Sequence, residues 1–167
     1  MANPTTFIDQ AFEELVRILM ADATLAARVK TWRRWSSDPK DDRSSEILPE
    51  LCPIVWLSPG VGGGDARRVG GDGLLQTYAF PLAVEVETWI TARPGGGLHR
   101  ADALDLTALI YGALFPGGTA ARQAIDARFR AVGVVDVVPR RPILPAVYND
   151  QFIGSAGSIE LDQRVDL

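Results

Sequence analysis

Tyr78-Ala79-Phe80-Pro81-Leu82-Ala83-Val84-Glu85-Val86-Glu87-Thr88-Trp89-Ile90 is the stretch whose reading decides the fold. Tyr78, Phe80, Leu82, Val84, Val86 and Ile90 fall on one parity, and Thr77, Ala83, Glu85, Glu87 and Thr91 on the other. A period of two places the first set on one face of a strand and the second on the opposite face. The spacing therefore predicts a long, half-buried strand. Glycine-rich segments bound it, Gly60–Gly73 before and Pro94–Gly97 after. Upstream, Pro49 and Pro53 bracket Ile54-Val55-Trp56-Leu57, a short apolar strand stopped by Ser58-Pro59-Gly60. The two strands are expected to pair as an antiparallel hairpin with an oversized, glycine-rich tip, unfixed in the isolated protein because ordering seven glycines is entropically expensive.

The flanking segments read as helices and further strands. Ile8, Phe12, Leu15, Ile18 and Leu19 recur at three- and four-residue steps, giving an amphipathic helix to about Met20. Thr6 with Asp9 resembles a capping arrangement at its start, and Glu13, Glu14 and Arg17 read as its solvated face. Asp22 can cap a short second helix with Leu25 and Val29 inward. A helix from His99 to Phe115 is apolar around most of its surface, with Ala101, Leu104, Ala108 and Tyr111 on one side. Such width predicts burial against the sheet and against something else, such as another subunit. Thr119 can cap a further helix to about Ala131, with Ala121, Ile125, Phe129 and Val132 inward. Val134, Val135, Val137 and Val138 form a buried strand that Pro139-Arg140-Arg141-Pro142 should stop. Ile153, Ile159, Leu161 and Val165 alternate in the last strand, where Gly154 and Gly157 mark a bulge or a close backbone approach. The expected fold is α+β in one domain: an antiparallel sheet with a long β-hairpin, packed on one face by an N-terminal helix and one or two central helices. Flexible loops are expected near residues 36–47, 60–73 and 93–98.

At 167 residues, with 47% hydrophobic and 23% charged residues, the chain has the make-up of a globular domain able to bury a core. A net charge of −4 argues against nucleic acid as the main partner, because phosphate binding needs a basic surface. Only Lys30 and Lys40 among the 17 basic residues are lysines. Cys52, the single cysteine, excludes an internal disulfide and a multi-cysteine zinc site, and its Leu51 and Pro53-Ile54-Val55 neighbours suit a buried structural thiol. Asp9, Glu13 and Glu14 in the first 30 residues speak against a signal peptide, and no apolar run reaches membrane-spanning length.

Catalytic signatures are not found. Gly70-Gly71-Asp72-Gly73 lacks the lysine of a phosphate loop and leads into a strand rather than a helix. His99 stands alone at a helix start. Glu85 and Glu87 share a strand face about 7 Å apart, a spacing open to acid–base hydrolysis but commonplace on a solvated strand. No cofactor or metal is called for. The candidates for contact are arginines and tryptophans. Trp32-Arg33-Arg34-Trp35 can stack on bases or on a partner, or form a short extended segment with each Trp packed and each Arg exposed. Arg67-Arg68 and Arg140-Arg141 suit ion pairs between subunits.

The N-terminal helix followed by Ala21-Asp22-Ala23-Thr24-Leu25, the Pro-bounded strand Pro53–Leu57, the long strand to Ile90, the helix Ala101–Phe115 and the final strand Ile159–Val165 are together similar to tail terminator proteins of tailed bacteriophages. These belong to the tail-completion group, with head–tail joining and minor tail proteins. The resemblance covers most of the chain as an order of elements. It implies a non-enzymatic structural virion protein, assembled in the host cytoplasm into a ring, usually a hexamer. Such a ring caps the tail tube protein and joins the tail to the connector proteins of the neck, with no membrane partner and nucleic acid only as a lining of the DNA channel. Head–tail connectors (stopper or adaptor), minor tail or baseplate subunits, contractile or secretion-type tube subunits, a small nucleic-acid-binding module and a small hydrolase using Glu85 and Glu87 are the alternatives.

Overall fold

The chain folds in the order α1 (Pro4–Ala21), α2 (Ala23–Arg28), β1 (Thr31–Arg34), a single 3-10 turn (Pro49–Leu51), β2 (Ile54–Pro59), β3 (Arg67–Gly71), β4 (Gln76–Thr91), α3 (His99–Leu114), α4 (Thr119–Ala131), β5 (Val134–Tyr148) and β6 (Phe152–Asp166). This is a computed structural model, and it describes residues 4–34, 47–59, 67–71, 76–92 and 99–166. The architecture is α+β, with helices packed on a six-stranded sheet of order β1-β2-β4-β6-β5, β3 lying beside β2 on the same margin of β4. The sheet is mixed rather than purely antiparallel, because β1 runs parallel to β2. Trp32-Arg33-Arg34 is the short extended segment that the sequence allowed, with Trp32 packed and Arg34 exposed, and it becomes a strand by pairing with the edge of β2.

The alternation in β4 is realised from Val84 to Ile90, whereas nearer its start Ala79 is buried on the opposite parity and Tyr78, Phe80 and Leu82 are half-buried. Val84, Val86 and Ile90 enter the core, while Glu85, Glu87 and Trp89 remain half-exposed on the other face. β6 follows suit with Ile153, Ile159 and Leu161 inward. All four helices meet this one face, through Phe12, Leu15 and Leu19 of α1, Leu25 of α2, Leu106, Ile110 and Leu114 of α3 and Phe129 of α4. Each such side chain contributes about 1.5–3 kcal/mol by leaving water. Asp22 caps α2 as expected, its Oδ1 accepting from Thr24 N at 3.0 Å and Leu25 N at 2.9 Å. Two other helix starts differ from expectation. α1 begins at Pro4, whose fixed φ suits a first turn, so Thr6 lies inside the helix rather than capping it. The N-cap of α4 is Gly118, with Thr119 as the first helical residue, and Ala121 on the inner row is exposed.

The hairpin holds but its tip moves. β2 pairs antiparallel with β4 from Ile54↔Trp89 to Pro59↔Val84, and β3 resumes that margin from Arg67↔Ala79 to Gly71↔Gln76. Part of the segment expected to be an unfixed loop is thus a strand. Among the described residues the paired margin of β4 is interrupted between Val84, the last partner of β2, and Ala79, the first partner of β3. Pro81 sits opposite that interruption, where β4 needs no donor toward β2 or β3. The remaining loop expectations, residues 36–46, 60–66, 72–73 and 93–98, fall outside the described residues.

β5 also corrects the sequence reading. It runs on through Pro139-Arg140-Arg141-Pro142 to Tyr148, with its register against β6 shifting at four places. A margin strand survives proline because one row of its backbone groups needs no partner, and the shifts absorb the missing donors. Val135 is exposed at the first of these shifts instead of buried.

The predicted close approaches are present on β6. A Cβ at Gly154 would lie 2.6 Å from the Trp89 ring, and one at Gly157 would lie 2.6 Å from Ile143 N and 2.7 Å from Arg141 O. Glu14, read from sequence as solvated, is instead buried at the α1–α4 contact. It accepts from Arg128 Nε at 2.6 Å and from Arg17 at 3.2 Å.

Two pairs of substitutions test this packing. Gly157→Ala should lower the urea midpoint by overpacking worth about 1–3 kcal/mol, since backbone cannot step aside, while Gly112→Ala, with open space around its Cα, should raise stability by about 0.4–1 kcal/mol. Glu14→Gln should lose about 1–2 kcal/mol by weakening a charge-assisted bond, and Arg128→Met should then add little in the same background. Equilibrium unfolding of the single and double variants at unchanged m-value checks both.

Candidate interaction surface

The parity that sends valines into the core sends a different set of side chains to the opposite sheet face. Cross-strand register aligns Arg33, Trp56, Glu87, Ala156 and Leu144 in one row, and Ser58, Glu85, Ser158 and Arg141 in the next. Among the described residues, only the chain from Ile47 to Cys52 packs onto this face, closing a small cluster of Cys52, Ile54 and Phe152 with Trp89 at one end. The rest is half-exposed, and Leu144 at 54% is openly so.

Charges on this face find partners within the chain. The Arg33 guanidinium lies 5.6 Å above the Trp56 ring. Trp89 Nε1 donates to Glu87 Oε2 at 3.4 Å, and Arg141 stands 3.6 Å from Glu85. Arg140 grips Glu160 with both prongs, Nε at 2.8 Å and a terminal nitrogen at 2.6 Å. That hydrogen bond holds the Arg140 guanidinium above its ordinary pKa range. The result is a flat surface of neutralised ion pairs around Trp56 and Leu144.

The contact candidates separate clearly. Trp32 is half-buried and packs against the helix-side core. Arg34 reaches across that side to Glu13 of α1 at 2.6 Å. Trp35 lies outside the described residues. Arg140 and Arg141 sit together on β5, Arg140 paired with Glu160 of the adjacent β6 and Arg141 3.6 Å from Glu85 of β4, the next strand beyond. Arg67 and Arg68 are different. They lie on β3, exposed, with no carboxylate against either among the described residues. Glu85 and Glu87 share a face as the alternation predicts, but each faces its own neighbour, Arg141 and Trp89 respectively.

Sequence reasoning did not find Trp56, Glu160 or Leu144. Nothing local distinguishes them, since each becomes notable only when strand order places it beside a residue far along the chain. A groove of about 150 Å³ between α4 and β5 is lined by Arg122, Asp126, Phe129, Arg130 and Asp136. Arg122 there is bound to Asp126 at 2.9 Å and stacked over Phe115 at 5.1 Å. Among the described residues no three His, Cys, Asp or Glu side chains gather as a metal-ligand set, and no helix is long and apolar enough to cross a membrane. Comparison with protein-family models and with curated proteins finds no match to this chain.

Cys52 is the buried thiol that its neighbours suggested, its Sγ 3.7 Å from Leu48 O. Burial pushes its pKa up, with a hydrogen bond from Thr91 and the charge of Arg33 pulling weakly the other way. A raised folded-state pKa stabilises the fold below the unfolded thiol's pKa, and that stability is lost as pH rises through the folded value. Cys52→Ala should therefore flatten the decline of stability on the alkaline side of the ordinary thiol range. Native Cys52 should also react with a disulfide reagent more slowly than in urea. Equal rates in the two states would refute the burial assignment.

Proposed function

We propose that this chain is a structural subunit of a tailed-phage neck, a tail terminator-type ring component that caps the tail tube and meets the head connector. The reading rests on one observation: an α+β domain whose sheet is covered by helices on one face, leaving on the other a flat, ion-paired surface around Trp56 and Leu144. A subunit that works by repetition needs such broad, neutralised faces more than a pocket of titrating groups. A heterologous contact between copies closes into a ring when the rotation per copy divides a full turn, and a stable contact of that kind covers roughly 800 Å² per partner.

Two further features support it. α3 leaves Ala101, Leu104 and Ala108 exposed, with Leu104 at 43%, in line with the expectation of a second apolar neighbour. The β3–β4 arm also carries exposed backbone and charge for contacts above or below a ring. The nucleic-acid module is the poorer reading, because its stacking residue Trp32 is half-buried against the core and three of the six candidate arginines, Arg34, Arg140 and Arg141, already meet carboxylates.

Light scattering after size exclusion, with electron microscopy of the same peak, tests the proposal. A closed ring, six-fold as in most of that group, is expected from the purified chain or on tail tubes supplied to it. A chain that stays monomeric with tubes present, and instead retards DNA in a salt-dependent manner, would replace this reading with the nucleic-acid one.

A further inference from the structure

A strand at the margin of a sheet holds out one row of backbone N–H and C=O groups that its own sheet does not use. Three described strands have such a margin, β1, β3 and β5, and they differ. β5 carries Pro139, Pro142 and Pro145, and its register shifts at four places. Missing donors and broken spacing close that margin to an added strand. β1 is four residues long, and its Arg33 and Arg34 are already engaged by Trp56 and Glu13. β3 is open. All five of its residues are exposed, none is proline, its one register shift falls between Arg68 and Gly70, and among the described residues it pairs on its β4 side alone.

The charge on β3 selects its occupant. Arg67 and Arg68 are consecutive in a strand and so project to opposite faces, and neither meets a carboxylate among the described residues. A second copy of this chain is a poor fit. β3 against β3 gathers four arginines and no carboxylate, β1 brings Arg33 and Arg34, and β5 offers no regular edge. A different chain with adjacent acidic residues in an extended segment satisfies both faces at once. We propose that β3 is a docking edge at which an acidic, extended segment of a different protein adds as a strand alongside Arg67–Gly71. Main-chain hydrogen bonds then supply affinity, and carboxylates against Arg67 and Arg68 supply selectivity and set the register. The inference rests on the neck-subunit reading for its biological sense and assigns the arm to attachment rather than to ring closure.

The test uses the full chain and a fluorescein-labelled Thr-Val-Glu-Glu-Val-Thr peptide, followed by fluorescence anisotropy. Two control peptides accompany it, one with both Glu replaced by Lys and one N-methylated at alternate backbone nitrogens. Wild type is expected to bind the acidic peptide, to bind the lysine and N-methylated forms at least about tenfold more weakly, and to show slowed amide exchange at Arg67–Gly71. Arg67→Glu/Arg68→Glu should lose the acidic peptide and take the lysine one, with far-UV circular dichroism and assembled mass unchanged. No binding of the acidic peptide, or binding indifferent to N-methylation, would overturn the inference. Loss of the ring in the double variant would also overturn it, by showing that β3 joins copies, while the ring reading survived. A wild-type chain that forms no ring removes the ring reading, and the peptide titration still decides the role of β3.

Discussion

The pairing of β4 with β6 is the constraint on which the rest of the structure depends. It runs without a register shift from Thr77↔Asp166 to Thr91↔Phe152, and it sets β2 and β3 on one side and β5 on the other. A slip of one residue would carry Val84, Val86, Ile159 and Leu161 to the open face and bring Glu85, Glu87, Glu160 and Asp162 under the helices. Burying unpaired carboxylates costs far more than any turn could recover. Two glycines make the register specific as well as favourable. Gly154 admits the Trp89 ring, and Gly157 admits the backbone of β5, so each close approach exists only where its glycine lies opposite the right neighbour.

That constraint explains how much was legible in the sequence. Elements whose partners hardly matter to their identity were plain: the period of two in β4, the three- and four-residue steps of α1, and Asp22 before α2. Elements that exist because a neighbour offers an edge were not. Arg67-Arg68-Val69-Gly70-Gly71 has no apolar alternation and poor strand propensity, and only the free margin of β4 fixes it. The prolines of β5 signalled a stop that a margin strand is free to ignore. Glu14 shows a different failure. It falls between Ala11 and Ile18 on the inner row, so its position already argued against solvent, but its partner Arg128 lies 114 residues away. The candidate surface was legible only in part. Arginine pairs were visible as residues, whereas their commitments to Glu85 and Glu160 depend on strand order.

The near-absence of lysine takes on meaning in that setting. Guanidinium groups keep their charge, form forked bonds to carboxylates and lie flat on rings, which an ammonium does not do. Arg140 uses the fork on Glu160, Arg33 and Arg122 lie over Trp56 and Phe115, and Arg128 reaches a carboxylate that is almost out of water. Surface pairs of this kind add little to stability singly. Their larger effect here is on the character of the open sheet face, which presents few unmet charges around Trp56 and Leu144. A face of that kind can be covered by another protein at a smaller desolvation cost than one of bare, hydrated charges.

One centre of the sheet runs against this pattern. Thr88 and Ser155 are direct cross-strand neighbours on the helix-facing side, both buried, and neither hydroxyl has a protein hydrogen-bond partner among the described residues. An apolar pair of the same size would suit the core better, since a buried hydroxyl left unmatched costs about 1–3 kcal/mol. The pair lies one position from the Trp89–Gly154 contact, the point where ring and glycine must meet for the register to hold. The two hydroxyls do not bond to each other although they lie opposite, so they give the native register no preference of their own. The alignment therefore rests on the apolar parity and the two glycines, which hold it even though the middle of the sheet carries two unmatched hydroxyls.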